Sequence, residues 1–159
     1  MTLAQKLLAG LQTSLGQTSV ALTVDEGARE VNCKALQCEQ LAVTVTDLTL
    51  ETSELAGIDL PRIQAASQAL CSRVNYLLEP ISPIETDAQG CTVQMRSNPP
   101  QQDDNGCRYY ELLLRRGGSV ALHRYEKQPG KARVRVPAVL THEVLGRLVD
   151  DFSQAVDGI

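Results

Sequence analysis

The stretch RYYELLLRRGGSVALHRYEK, residues 108–127, decides the fold. Two runs rich in β-formers flank Gly117-Gly118. Two glycines between such runs mark a hairpin whose two-residue turn needs positive φ. A turn of that length fixes which residues face each other. With Arg116 opposite Ser119, Leu114 meets Ala121, Leu112 meets His123 and Tyr110 meets Tyr125. On the other face Arg115 meets Val120, Leu113 meets Leu122 and Glu111 meets Arg124. This register assigns Tyr110, Leu112, Leu114, Ala121 and Tyr125 to the core. It leaves Leu113, Val120 and Leu122 as an apolar row on the outer face, to be covered by a helix or by another subunit. The Glu111–Arg124 pair would be solvated and worth a few tenths of a kcal/mol, roughly.

After this hairpin, Pro129-Gly130 makes a turn, and a last strand runs from 131 to 136, with Pro137 closing it. Arg133 and Arg135 project from one face of that strand, opposite Val134 and Val136. The final helix starts near Thr141 and buries Val144, Leu145, Leu148, Phe152 and Val156.

Before the hairpin, residues 98–106 read NPPQQDDNG and form the one obvious exposed loop. Residues 81–86 and 91–97 read as strands around a turn at 87–90, with Val93 and Met95 on one side. Asp59 and Pro61 announce a helix, with Ile58 and Ile63 stapled across its start. Its narrow stripe is Ile63, Ala66, Leu70, Val74 and Leu77, and Glu79-Pro80 ends it. Three strands precede that helix. Val20, Leu22 and Val24 mark the first; Val31, Cys33 and Ala35 the second; Leu41, Val43 and Val45 the third. The alternation changes phase at Asp47 before Leu48 and Leu50, which predicts a bulge or a break there. The chain opens with a helix capped by Thr2 and Gln5, striped by Leu3, Leu7, Leu8, Leu11 and Leu15, and stopped at Gly16.

The reading is therefore one α+β domain over residues 1–159. It has a predominantly antiparallel sheet of about eight strands and three helices, in the order α-βββ-α-βββββ-α. With 159 residues the chain fills one core and not two. Aromatics are 3% of residues, so the core is aliphatic and a base-stacking surface for nucleic acid is not expected. No apolar run reaches the length of a membrane span, and no export signal is visible at the start. A soluble cytoplasmic protein is expected. The five cysteines are irregularly spaced and odd in number, so free thiols serving as small buried hydrophobes are expected.

Charge is the unusual feature. Residues 108–135 hold eight basic side chains against two acidic ones, a surplus of six. The chain carries −4, so the remainder carries −10. Arg115, Arg124, Arg133 and Arg135, with Leu113, Val120 and Leu122, are the candidate binding residues. The basic strands suit an acidic protein or an anionic small ligand. The competing reading is a solvated strand face whose arginines cover apolar neighbours and guard the edges. No metal-ligand spacing, Gly-rich phosphate loop or nucleophilic motif occurs, so no cofactor, metal or catalytic residue is assigned. His123 and His142 read as a core histidine and an exposed helix-start residue.

A small acidic domain with this order of elements resembles bacterial secretion chaperones and other adaptor proteins, in architecture and not in any residue motif. Two functions are expected. The first is a non-catalytic interaction protein acting as a homodimer through its sheet surface. The alternative is an anion or small-molecule pocket between the sheet and the central helix.

Overall fold

In the computed structural model, which describes residues 1–159, Thr2 and Gln5 close the expected capping box at the head of α1 (Leu3–Thr13). A meander follows: β1 (Thr18–Glu26), β2 (Arg29–Cys38) and β3 (Val43–Thr52). A short 3-10 turn at Ser53–Leu55 leads into α2 (Leu60–Arg73), capped by the Asp59 carboxylate. Then come β4 (Ile81–Asp87), β5 (Thr92–Ser97), β6 (Gln101–Asp103), β7 (Gly106–Arg115) and β8 (Ser119–Lys127). The short strands β9 (Val134–Val136) and β10 (Ala138–Leu140) precede α3 (His142–Asp157).

All ten strands join one antiparallel sheet, in the order β1-β2-β3-β8-β7-β5-β4. β6 pairs with β7, β9 with β8, and β10 with β3. The α+β class, the antiparallel sheet and the three helices agree with the sequence reading. The strand count rises from about eight to ten, because the loop 98–106 contains β6 and because pairing resumes beyond Pro137.

The predicted bulge is present: Lys34 pairs with Asp47 and Ala35 with Val45, so Thr46 is the extra residue on β3. Leu41 is exposed, as β3 begins only at Val43. α2 ends at Arg73, so Val74 and Leu77 are buried from the segment beyond the helix. That segment carries Tyr76 onto α3, where its hydroxyl donates to Asp151 and Arg147 lies over its ring.

All three helices lie on one face. α1 packs on α3 and β1, and α2 packs on α3, β4 and β5. Ile63, Leu70 and Val74 share one buried cluster with Met95, Leu112 and Leu114, all fully buried. Well-packed aliphatic side chains fill this layer. No helix covers the opposite face.

The hairpin is paired one residue away from the expected register. Arg115, not Arg116, opposes Ser119. The turn holds three residues, with the Gly118 N–H donating to Arg115 O. Only Gly118 of the glycine pair has positive φ, +112°. A type I turn followed by one glycine of positive φ is the three-residue alternative to a two-residue loop. The cause is tertiary: Thr52 N–H donates to Gly118 O, and Thr52 O lies so close that a Cβ on Gly118 would sit 2.5 Å away.

Candidate functional site

A slip of one residue turns the affected side chains over. Val120 and Leu122 now oppose Leu114 and Leu112 and lie in the core, 0% and 3% exposed. The apolar outer row is thereby corrected to Leu113 alone, half-buried and opposite Ala121. Tyr125 leaves the core for the open face, where its ring stacks on Tyr109 at 5.8 Å between centroids. Tyr110 keeps its core position.

Arg124 moves the other way. It is buried on the helical side over the Tyr110 ring, 3.1 Å from the Glu79 carboxylate and bonded to Gln101. The expected Glu111–Arg124 pair therefore does not form. Glu111 instead opposes His123 on the open face and is 2% exposed. Its Oε2 accepts from Arg133 Nη1 and from Gln94 Nε2, each at 2.6 Å. Such charged and polar donors replace the water that a buried carboxylate gives up.

The open face thus carries a polar network. Arg133 reaches across it from the segment before β9, lies 3.9 Å above the Tyr125 ring and donates to Tyr109 Oη. Arg135 pairs with Asp47 at 2.8 Å. Asp47 also meets His123 Nε2 at 3.1 Å. Burial and the Arg135 guanidinium hold the His123 pKa below its ordinary value, despite Asp47. His123 Nδ1 is buried without a partner. With one nitrogen tied to Asp47 and the other sealed, this imidazole is poorly placed to exchange protons with a ligand. His142 lies at the start of α3, with Nε2 2.7 Å from Glu39 O.

Of the four candidate arginines, Arg133 and Arg135 lie on the open face and are ion-paired there. Arg115 is exposed at the end of β7. Arg124 is a structural residue. Four of the eight basic residues in 108–135 are thus ion-paired within the fold, since Arg108 also pairs with Glu126.

A cleft of about 320 Å³ opens beside the tyrosines. Arg96 of β5, Lys127 of β8 and Arg133 supply its charge; Tyr109, Ile84 and Pro100 supply its apolar surface. No carboxylate lines it. Arg96 stacks on Tyr109 at 5.5 Å, and neither Arg96 nor Lys127 has a carboxylate partner. Cys107 lies in the wall. Sequence reasoning missed Arg96, Lys127 and Tyr109 as a group. They come from strands whose adjacency depends on the register of β7 and β8, and a helix-free face leaves no periodic signal.

The chain matches no family model, no curated protein and no solved structure.

All five cysteines are free thiols. Cys33, Cys38 and Cys91 are buried, and burial pushes Cys33 up to about 12. No group of three or more His, Cys, Asp or Glu side chains is placed to hold a metal ion. No helix is long and apolar enough to cross a membrane.

Proposed function

We propose that this chain is a non-catalytic binding domain that holds an anionic group on the open face of its sheet. One observation carries the reading: Arg96, Lys127 and Arg133 line one cleft with no carboxylate among them. Cations gathered in a concave site focus a positive potential that attracts anions. The aromatic floor keeps Arg96 and Arg133 in place by stacking, which lowers the ordering cost of binding. Neither histidine hydrogen-bonds to a serine or cysteine, which favours binding over catalysis. The five free thiols suit a reducing cytoplasm, which we propose as its location.

The test is calorimetric titration of the full chain with small anions and with an acidic peptide, at low and moderate salt. Binding that weakens with salt and is lost in Arg96→Gln and Lys127→Gln is expected. Equal binding by the parent and both variants would remove the site.

A second reading is the homodimeric interaction protein. The apolar row that motivated it is gone, but the outer edge of β1 has no partner strand, and residues 18–24 carry no charge. An unguarded edge of that length is a template for antiparallel pairing with a second copy. Charge complementarity between the basic hairpin and acidic surfaces elsewhere would add to it. Light scattering across a concentration series tests this: a mass near 35 kDa, about twice 17.3 kDa, is expected. A constant monomer mass would end it.

A further inference from the structure

We infer that the occupant of the cleft is a small phosphate monoester carried on a flat apolar group. The inference rests on the anion-binding reading above and adds the ligand class. Net charge is the first argument. Arg133 is already balanced by the buried Glu111, 2.6 Å away. Arg96 and Lys127 are unbalanced, which leaves two positive charges facing the cleft. A monoester phosphate carries close to two negative charges at neutral pH. A simple carboxylate carries one and would leave a cation without compensation.

Donor geometry is the second argument. The cations enter from three separate parts of the chain: β5, β8 and the segment before β9. Arg133 uses only Nη1 internally and keeps Nε and Nη2 free. Lys127 Nζ makes one bond, to Gln128 O, and has two hydrogens left. Three terminal phosphate oxygens can accept from several directions, whereas a carboxylate presents two in one plane.

The third argument is the remaining surface. Tyr109, Ile84 and Pro100 give the cleft an apolar side. At about 320 Å³ it is at the small end of ligand pockets, which suits a single ring rather than a polymer.

Cys107 provides a native reporter, because it lines the cleft and is half-buried. In the full chain carrying Cys71→Ser, it is the one thiol that is not buried. The experiment follows its alkylation by neutral iodoacetamide, read by peptide mass, with phenyl phosphate, inorganic phosphate, benzoate or phenol present at equal concentration. Phenyl phosphate is expected to slow alkylation about fivefold at a concentration four times its Kd. Benzoate and inorganic phosphate should protect less, and phenol not at all. Arg96→Gln and Lys127→Gln should each abolish protection while the thermal midpoint stays near that of the parent. Equal protection by benzoate overturns the phosphate assignment and leaves anion binding standing. Equal protection by inorganic phosphate overturns the flat apolar group. Absence of protection by every anion, in a protein that still melts cooperatively, overturns both this inference and the reading beneath it.

Discussion

Glu111 and Arg133 form an ion pair of 2.6 Å across the open face, with the carboxylate 2% exposed and the guanidinium 41% exposed. The pair anchors the segment before β9 to the middle of the sheet. Removing the arginine strands a buried charge with Gln94 as its only remaining donor. Arg133→Met should therefore destabilise the fold by about 1–3 kcal/mol, discounted for the exposed partner. Adding Glu111→Gln should recover part of that loss. Urea unfolding of both single variants and the double variant checks the coupling. Strict additivity would mean that the pair contributes nothing beyond its separate members.

Gly118 and Gly117 should answer differently to alanine. Gly118 has φ +112° and presses on Thr52 O, whereas Gly117 has open space where a Cβ would go. Gly118→Ala is expected to cost more than about 1 kcal/mol, and Gly117→Ala to stay within about 0.5 kcal/mol. Chemical denaturation of the two variants decides. Equal losses would argue for the two-residue turn instead.

The register of β8 can be read from its core side. Leu122 and Val120 are buried on the helical side. Leu122→Ala should cost about 2–5 kcal/mol, as expected for a packed aliphatic core. Were Leu122 on the outer face, the same change would fall within about 0.5 kcal/mol. The unfolding midpoint separates these values.

His123 should make the protein less stable in mild acid. Its folded pKa lies below the ordinary 6.5, chiefly because burial penalises the charged form. As pH falls below that ordinary value, the unfolded chain takes up a proton that the folded chain resists. This contribution to stability is therefore complete above about pH 6.5 and declines below it. His123→Gln should flatten the dependence in that window. Urea midpoints near pH 5.5 and pH 7.5 provide the comparison, and identical slopes in parent and variant would rule out His123 as the source.

Much of the fold is legible in local chemistry. Thr2 with Gln5, Asp59 with Pro61, and the phase change at Asp47 each act through neighbours a few residues away, so their effects can be read directly. The site is not local. Whether Tyr125 or Arg124 faces the helices depends on whether the turn holds two residues or three, and Thr52, over sixty positions earlier, makes that choice. A two-residue turn exchanges Val120 and Leu122 for Ala121 and sets His123 opposite Leu112, whereas the three-residue turn sets it opposite Glu111. The surplus of basic residues was visible, but its division between internal ion pairs and free cations was not. That division depends on which carboxylates come within reach after folding.

The order of strands has a consequence for how the molecule is made. β3 pairs with β8 over residues 48–51 and 119–122, and with β10 through 138–140. The first three strands therefore wait for the last quarter of the chain before their inner edge is paired. α1 likewise finds its helical neighbour only in α3. A polypeptide emerging from the ribosome must hold a partly finished meander until residues 119–157 arrive, and contacts this far apart in sequence make closure slow. The nascent protein therefore passes through a period in which strand edges sealed in the finished fold stand open, and this is when it most needs protection from its neighbours.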